Sequence, residues 1–185
     1  MAILESDGLA FEFRYAGMHR MNGAWDEVSF EYGLLWKGES MFNEKTMGSG
    51  RFSGDSDDDY HLIHLLDHVL ATGKADYWND IGEPQHCVAI YPDDWFPFLP
   101  NRLKIVRIDN AYQAELDARE RLKAEKGQLP DDHFTVIVHV DTYQFDKSEG
   151  YTTQGPALIL NVYRHQLAAF RAELETEYAA LRKIE

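Results

Sequence analysis

The chain has 185 residues, 44% hydrophobic and 13% aromatic, which excludes a low-hydrophobicity disordered polymer and predicts one substantial core in a single domain spanning 1–185. Eighteen Lys and Arg stand against 32 Asp and Glu, a net charge of −14 that disfavours direct nucleic-acid or anionic-lipid contact and favours a cationic partner. Cys87 is the only cysteine, which excludes an internal disulfide and a cysteine-based zinc cluster.

The opening residues carry no basic segment followed by an apolar one, and no window approaches a membrane span, so a cytoplasmic protein is expected. Residues 9–15 (LAFEFRY) alternate apolar and charged side chains as a half-buried strand does, and residues 26–38 read as a second, with turn chemistry at MNG between them. Residues 43–59 are rich in Gly, Ser and Asp, which predicts a surface loop. A helix follows in DDDYHLIHLLDHVL, residues 57–70. At about 100° per residue its leucines fill one arc and His61, His64, Asp67 and His68 the other, so the histidines are expected to avoid the main core. Asp57, Asp58 and Asp59 stand where the positive end of a helix dipole favours carboxylates.

Strands are expected again at 86–92 and 102–108, separated by the turn DDWFPFLPN. A largely exposed helix is predicted over 111–126, with Asn110 and Gln113 at capping-box spacing and Gly127 as its stop. In residues 133–145, Phe134, Val136, Val138 and Val140 face one way while Thr135, Ile137, His139 and Asp141 face the other. Residues 156–163 supply a partner strand, and a final helix sets Leu167, Phe170, Leu174, Tyr178 and Leu181 on one stripe that closes the core. Strands and helices do not alternate regularly, so the expected class is α+β: a mainly antiparallel sheet packed against helices, ending in an amphipathic C-terminal helix.

Candidate chemistry is tested motif by motif. His64 and His68 have the i, i+4 spacing that lets two imidazoles reach one zinc ion, and His61 lies a turn earlier, but Leu65 occupies the place of a zinc protease's general base. Asp55, Asp57 and Asp59 repeat the first ligands of a calcium loop, yet Tyr60 replaces the turn glycine and Leu66 the bidentate Glu. GSGRFSG, residues 48–54, lacks the Lys-Ser/Thr ending of a P-loop, and no Gly-x-Ser-x-Gly elbow is present. Cys87 reads as a small buried core residue, with His86 on the opposite strand face. Asp131 with Asp132 suits a turn. No motif calls for a catalytic residue, a metal or a cofactor.

Acidic-aromatic stretches remain. Trp95, Phe96 and Phe98 stand beside Asp93 and Asp94, and DYWND, residues 76–80, repeats the combination: rings supply buried area and carboxylates pair with cations. Asp57, Asp58, Asp59, Asp93, Asp94 and Trp95 are therefore the expected partner-binding residues.

The ending, DDHFTVIVHVDTYQF, a loop, then GPALILNVYRHQLAAFRAELETEYAAL, resembles bacterial immunity proteins of polymorphic-toxin and contact-dependent systems. The resemblance covers the last third of the chain and rests on a strand-strand-helix layout. It implies a small, acidic, cytoplasmic inhibitor that neutralises a cognate toxin, often a nuclease with a basic cleft, and it carries over no catalytic residue. The expected function is thus a protein-binding inhibitor acting by steric and electrostatic blockade. The alternatives are a metal-dependent or acid/base hydrolase centred on His61, His64 and His68, and an acidic DNA mimic.

Overall fold

The computed structural model describes residues 1–20, 26–42, 50–79, 86–92, 133–141 and 155–183. The expected turn at 21–23, strand at 102–108, helix at 111–126 and paired acids Asp131 and Asp132 lie outside the described residues, as do Asp93, Asp94 and Trp95.

Alternation in the first part of the chain folds as strands. β1 (Ala2–Ser6), β2 (Leu9–Arg20) and β3 (Asp26–Trp36) form an antiparallel meander, and the far edge of β3 is shared by β4 (Glu39–Ser40) and β5 (Phe52–Asp57). Asp7 and Gly8 make the two-residue turn between β1 and β2 with φ of 50° and 79°, the left-handed geometry that an Asp-Gly hairpin supplies with least strain. After α1 (Leu62–Thr72), a second antiparallel sheet is built in sequence order from β6 (Asp76–Asn79), β7 (His86–Pro92), β8 (His133–Val140) and β9 (Ala157–Tyr163), and α2 (Arg164–Leu181) follows directly. The α+β class is as the sequence predicts, but the strands divide into two sheets.

The two sheets bury their facing rows against each other in one continuous core. Phe13, Phe30 and Tyr32 of the first sheet meet Trp78 and His86 of the second, with the Phe30 ring 5.2 Å from Trp78 and 5.6 Å from His86, both edge to face. The predicted stripe of the last helix is buried at Leu167, Phe170, Leu174 and Tyr178, with Phe170 5.8 Å from Phe11. α1 contributes Leu62, Ile63, Leu65, Leu66 and Val69 and packs on α2 and β6. Among the described residues, no helix is long and apolar enough to cross a membrane.

Three expectations need correction. The segment predicted as loop over 43–59 contains β5, in which Phe52 and Ser56 point inward and Ser53 and Asp55 outward. Its glycine marks close packing: a Cβ on Gly54 would lie 2.7 Å from Phe30 Cζ and 3.0 Å from His86 Cδ2. Trp78, read as part of a surface patch, is fully buried because it occupies the inward position of β6, leaving Tyr77 exposed. The opposite faces foreseen for His86 and Cys87 hold, but with roles exchanged: His86 is in the core and Cys87 is half-buried on the outer side. β1 has no counterpart in the sequence-based expectations.

Gly54→Ala is expected to cost about 1–3 kcal/mol through overpacking against two core rings, whereas Ser53→Ala on the exposed side should stay within about 0.5 kcal/mol of the parent. Urea denaturation of both variants checks this, and equal stabilities would remove the close-packing account.

Candidate functional site

Two polar surfaces meet at the turn between β5 and α1. Asp57 ends β5, paired with Glu27, and its Oδ1 accepts the Asp59 N–H at 2.9 Å, which shapes the turn. The helix therefore starts later than its aspartates suggest. His61 is the N-cap in extended conformation, its carbonyl accepting from His64 N–H at 2.9 Å, and no acidic residue lies in the first turn. Asp57, Asp58 and Asp59 do not cap the helix.

His61 is also not part of an outward polar face. It is 2% exposed, and its Nδ1 lies 2.8 Å from the Tyr15 hydroxyl. The Tyr15 oxygen accepts the backbone N–H of Ile63, and burial, with Glu175 and Asp58 nearby, raises the phenol pKa, so it stays protonated and donates to Nδ1. Burial, reinforced by His64 and Arg182, lowers the His61 pKa to about 3 and keeps the ring neutral. His61 then carries its proton on Nε2, at the wall of a cleft of about 250 Å³ between α1 and α2. The His61 ring lies 4.5 Å from both His64 and Tyr178, and the His61 backbone N–H donates to His64 Nδ1 at 3.3 Å.

The other cleft groups are mostly committed. Asp58 accepts from the Tyr178 hydroxyl and, at 2.9 Å, from Arg182, whose guanidinium lies 5.3 Å from the Tyr178 ring. Arg171 donates to Asp67 at 2.7 and 3.0 Å and pairs with Glu175 at 2.8 Å. His68 faces elsewhere, 3.9 Å from Asp76 of β6. The histidines at 61, 64 and 68 thus do not converge, and among the described residues no group of three His, Cys, Asp or Glu side chains is placed to hold a metal ion.

The second surface is the outward side of the first sheet. Its cross-strand rows are Arg14, Glu31 and Ser53; Gly17, Ser29 and Asp55; and His19, Glu27 and Asp57. Arg14 pairs with Glu31 at 2.6 Å and Arg51 with Glu12 at 3.0 Å, whereas Ser29 donates to Asp55 at 2.6 Å. Glu27 and Asp57 are directly opposite each other, and neither makes an ion pair with a described residue. Like charges so placed destabilise a sheet by roughly 0.2–1 kcal/mol.

The expected aspartate triplet is therefore split: Asp57 belongs to the sheet face, Asp58 to the cleft, and exposed Asp59 to the turn between them and the cleft rim. Sequence reasoning missed Glu27 and weighed Asp55 only as a calcium ligand, although the alternation in DEVSFEY and SGDSD was readable; Tyr15, Tyr178 and Arg182 had no such signal, since only tertiary packing brings them to His61 and Asp58. Compared with protein-family models, curated proteins and solved structures, the chain matches none.

The buried neutral imidazole makes stability depend on pH. Below the ordinary histidine pKa of 6.5 the unfolded chain takes up a proton that folded His61, at about 3, refuses, so stability falls as pH drops through that window. The slope from this site approaches about 1.4 kcal/mol per pH unit. Urea denaturation between about pH 7 and pH 5 should show a slope shallower by that one proton in His61→Gln; identical slopes would contradict the assignment.

Proposed function

We propose that this protein is a stoichiometric inhibitor that binds a cationic protein surface, in the manner of the immunity proteins its C-terminal layout resembles. The observation that carries this reading is the Glu27 and Asp57 pair, opposed across adjacent strands and extended by Asp55. The free protein keeps a local repulsion there that an approaching Lys or Arg would convert into attraction. Small outward residues, Ala16, Ser29 and Ser53, line a shallow hollow of about 300 Å³ between Glu31 and Asp55, so a long cationic side chain can lie against the strands without displacing bulk.

Binding on this face acts by covering the partner's surface, with electrostatic steering of the encounter. Asp59 on the adjoining turn extends the acidic rim, and Asp93, Asp94 and Trp95 remain proposed contacts. No group of the inhibitor has to perform chemistry. The partner in this reading is a cognate toxin, contacted as a protein and not through nucleic acid.

Co-expression with the product of the neighbouring upstream reading frame should rescue growth and yield a complex that co-purifies. With that complex in hand, association measured by stopped flow is expected to slow as salt rises. Reversing Glu27, Asp55 and Asp57 to lysine should lower the association rate by about 10- to 100-fold at low salt. Association indifferent to both salt and charge reversal would defeat the electrostatic mechanism, and displacement by duplex DNA of unrelated sequence would favour a DNA mimic.

A further inference from the structure

We propose that a second cleft, where β1 passes β9, binds a neutral polyhydroxylated ligand such as the ring of a sugar. It measures about 520 Å³, within the ~300–1,000 Å³ range of small-molecule sites. Its walls come from both sheets: Glu5 and Asp7 from the end of β1 and its turn, and His133, Asn161 and Tyr163 from the outward side of β8 and β9. Gln166 of α2 joins them, since its Nε2 donates to the Glu5 carbonyl at 3.0 Å and its Oε1 accepts the Tyr163 N–H at 2.9 Å. The two sides are thereby fixed before any ligand arrives, which lowers the ordering cost of binding.

The hydrogen-bonding groups define the occupant. Asn161 Oδ1 accepts from the buried Thr135 hydroxyl at 3.1 Å, which orients the amide and leaves Nδ2 a donor with no partner among the described residues. His133 adds an imidazole whose nitrogens bond no described residue, and a neutral ring offers one donor and one acceptor. The Glu5 and Asp7 carboxylates, which make no ion pair or side-chain hydrogen bond with a described residue, accept only. Donors and acceptors therefore stand side by side. An anion would meet two carboxylates with no Lys or Arg among these lining residues to offset them. An ammonium or guanidinium brings donors alone, so it would leave the Asn161 and His133 N–H groups facing other donors. A hydroxyl both donates and accepts, and so suits every group on the wall. The Tyr163 and His133 rings, 4.2 Å apart, supply apolar surface for the C–H groups of a sugar ring, and Tyr163 is 42% exposed to receive them.

This site goes beyond the inhibitor reading and shares no residue with the acidic pair of Glu27 and Asp57, so either can fail alone. The test titrates the full chain, labelled on histidine rings and asparagine side chains, with glucose, galactose, mannose and N-acetylglucosamine, followed by NMR. Inorganic phosphate and N-acetylarginine amide are the charged comparisons. At least one sugar is expected to give saturable shifts of the His133 ring and the Asn161 amide, with a dissociation constant on the order of millimolar, and phosphate none. Asn161→Asp retains the oxygen that Thr135 bonds and replaces only the donor, so sugar binding read at His133 should weaken by about tenfold while the thermal midpoint holds. Asp7→Asn, readily accepted at a left-handed φ of 50°, should weaken it too. No saturable shift with any of the four sugars, tighter binding of N-acetylarginine amide, or undiminished affinity in both variants overturns the proposal.

Discussion

The two sheets are locked in register by one buried imidazole. His86 on β7 reaches across the core so that its Nδ1 lies 2.8 Å from the Tyr32 hydroxyl of β3 and its Nε2 3.2 Å from the Ser53 carbonyl of β5. The carbonyl can only accept, so Nε2 carries the proton and Nδ1 accepts from Tyr32. A sandwich of phenylalanines alone could slide by a residue at modest cost, because dispersion is indifferent to direction. Sliding this one would strand a buried polar ring, at about 1–3 kcal/mol. Gly54 makes the same register possible by letting Phe30 and His86 approach the β5 backbone.

The Tyr15 and His61 pair repeats this chemistry one layer further on. Tyr15 lies inward on β2 like Phe13 and Phe11, and its hydroxyl takes the Ile63 N–H of α1 and the N-cap imidazole into one network. The start of α1 is thus fixed to the first sheet. Tyr178 of α2 and Arg182, its C-cap, then close on Asp58 of the turn before α1, and Arg171 spans to Asp67 of α1. The cleft lies at the solvent edge of this contact, where polar side chains line the two helices above their shared apolar core.

The elements most legible from sequence are those whose environment is uniform along their length. β8 and β9 alternate because one face of each is core throughout, and the α2 stripe repeats at three and four because one side of the helix lies on the sheets. β5 was hidden because its small residues serve a close approach of rings, which composition cannot distinguish from a flexible loop. His61 was misplaced for a related reason: the helical wheel assigns it a polar face, but the residue precedes the helix, and its extended φ of −120° and ψ of 179° turn the ring inward. The acidic run at 57–59 looked like one site because neighbours in sequence look like neighbours in space. A strand end followed by a tight turn sends successive side chains to different surfaces.

The same alternation explains how charge comes to be sorted on the outward face of the first sheet. Solubility alone is served by interspersing signs. Here Arg14 and Arg51 are both engaged toward one end, with Glu31 and Glu12, while at the other Glu27 and Asp57 share a row with His19, and Asp55 adjoins in a row with Gly17 and Ser29. β3 lies between β2 and β5, so a residue inserted into either hairpin arm would turn this set of carboxylates toward the core, and the hydrophobic rows that forbid such a slip also hold the acids in place. Core register and surface charge are therefore one constraint, and the repulsion between Glu27 and Asp57 persists because the packing of Val28, Phe30, Phe52 and Ser56 beneath it leaves the strands no other alignment.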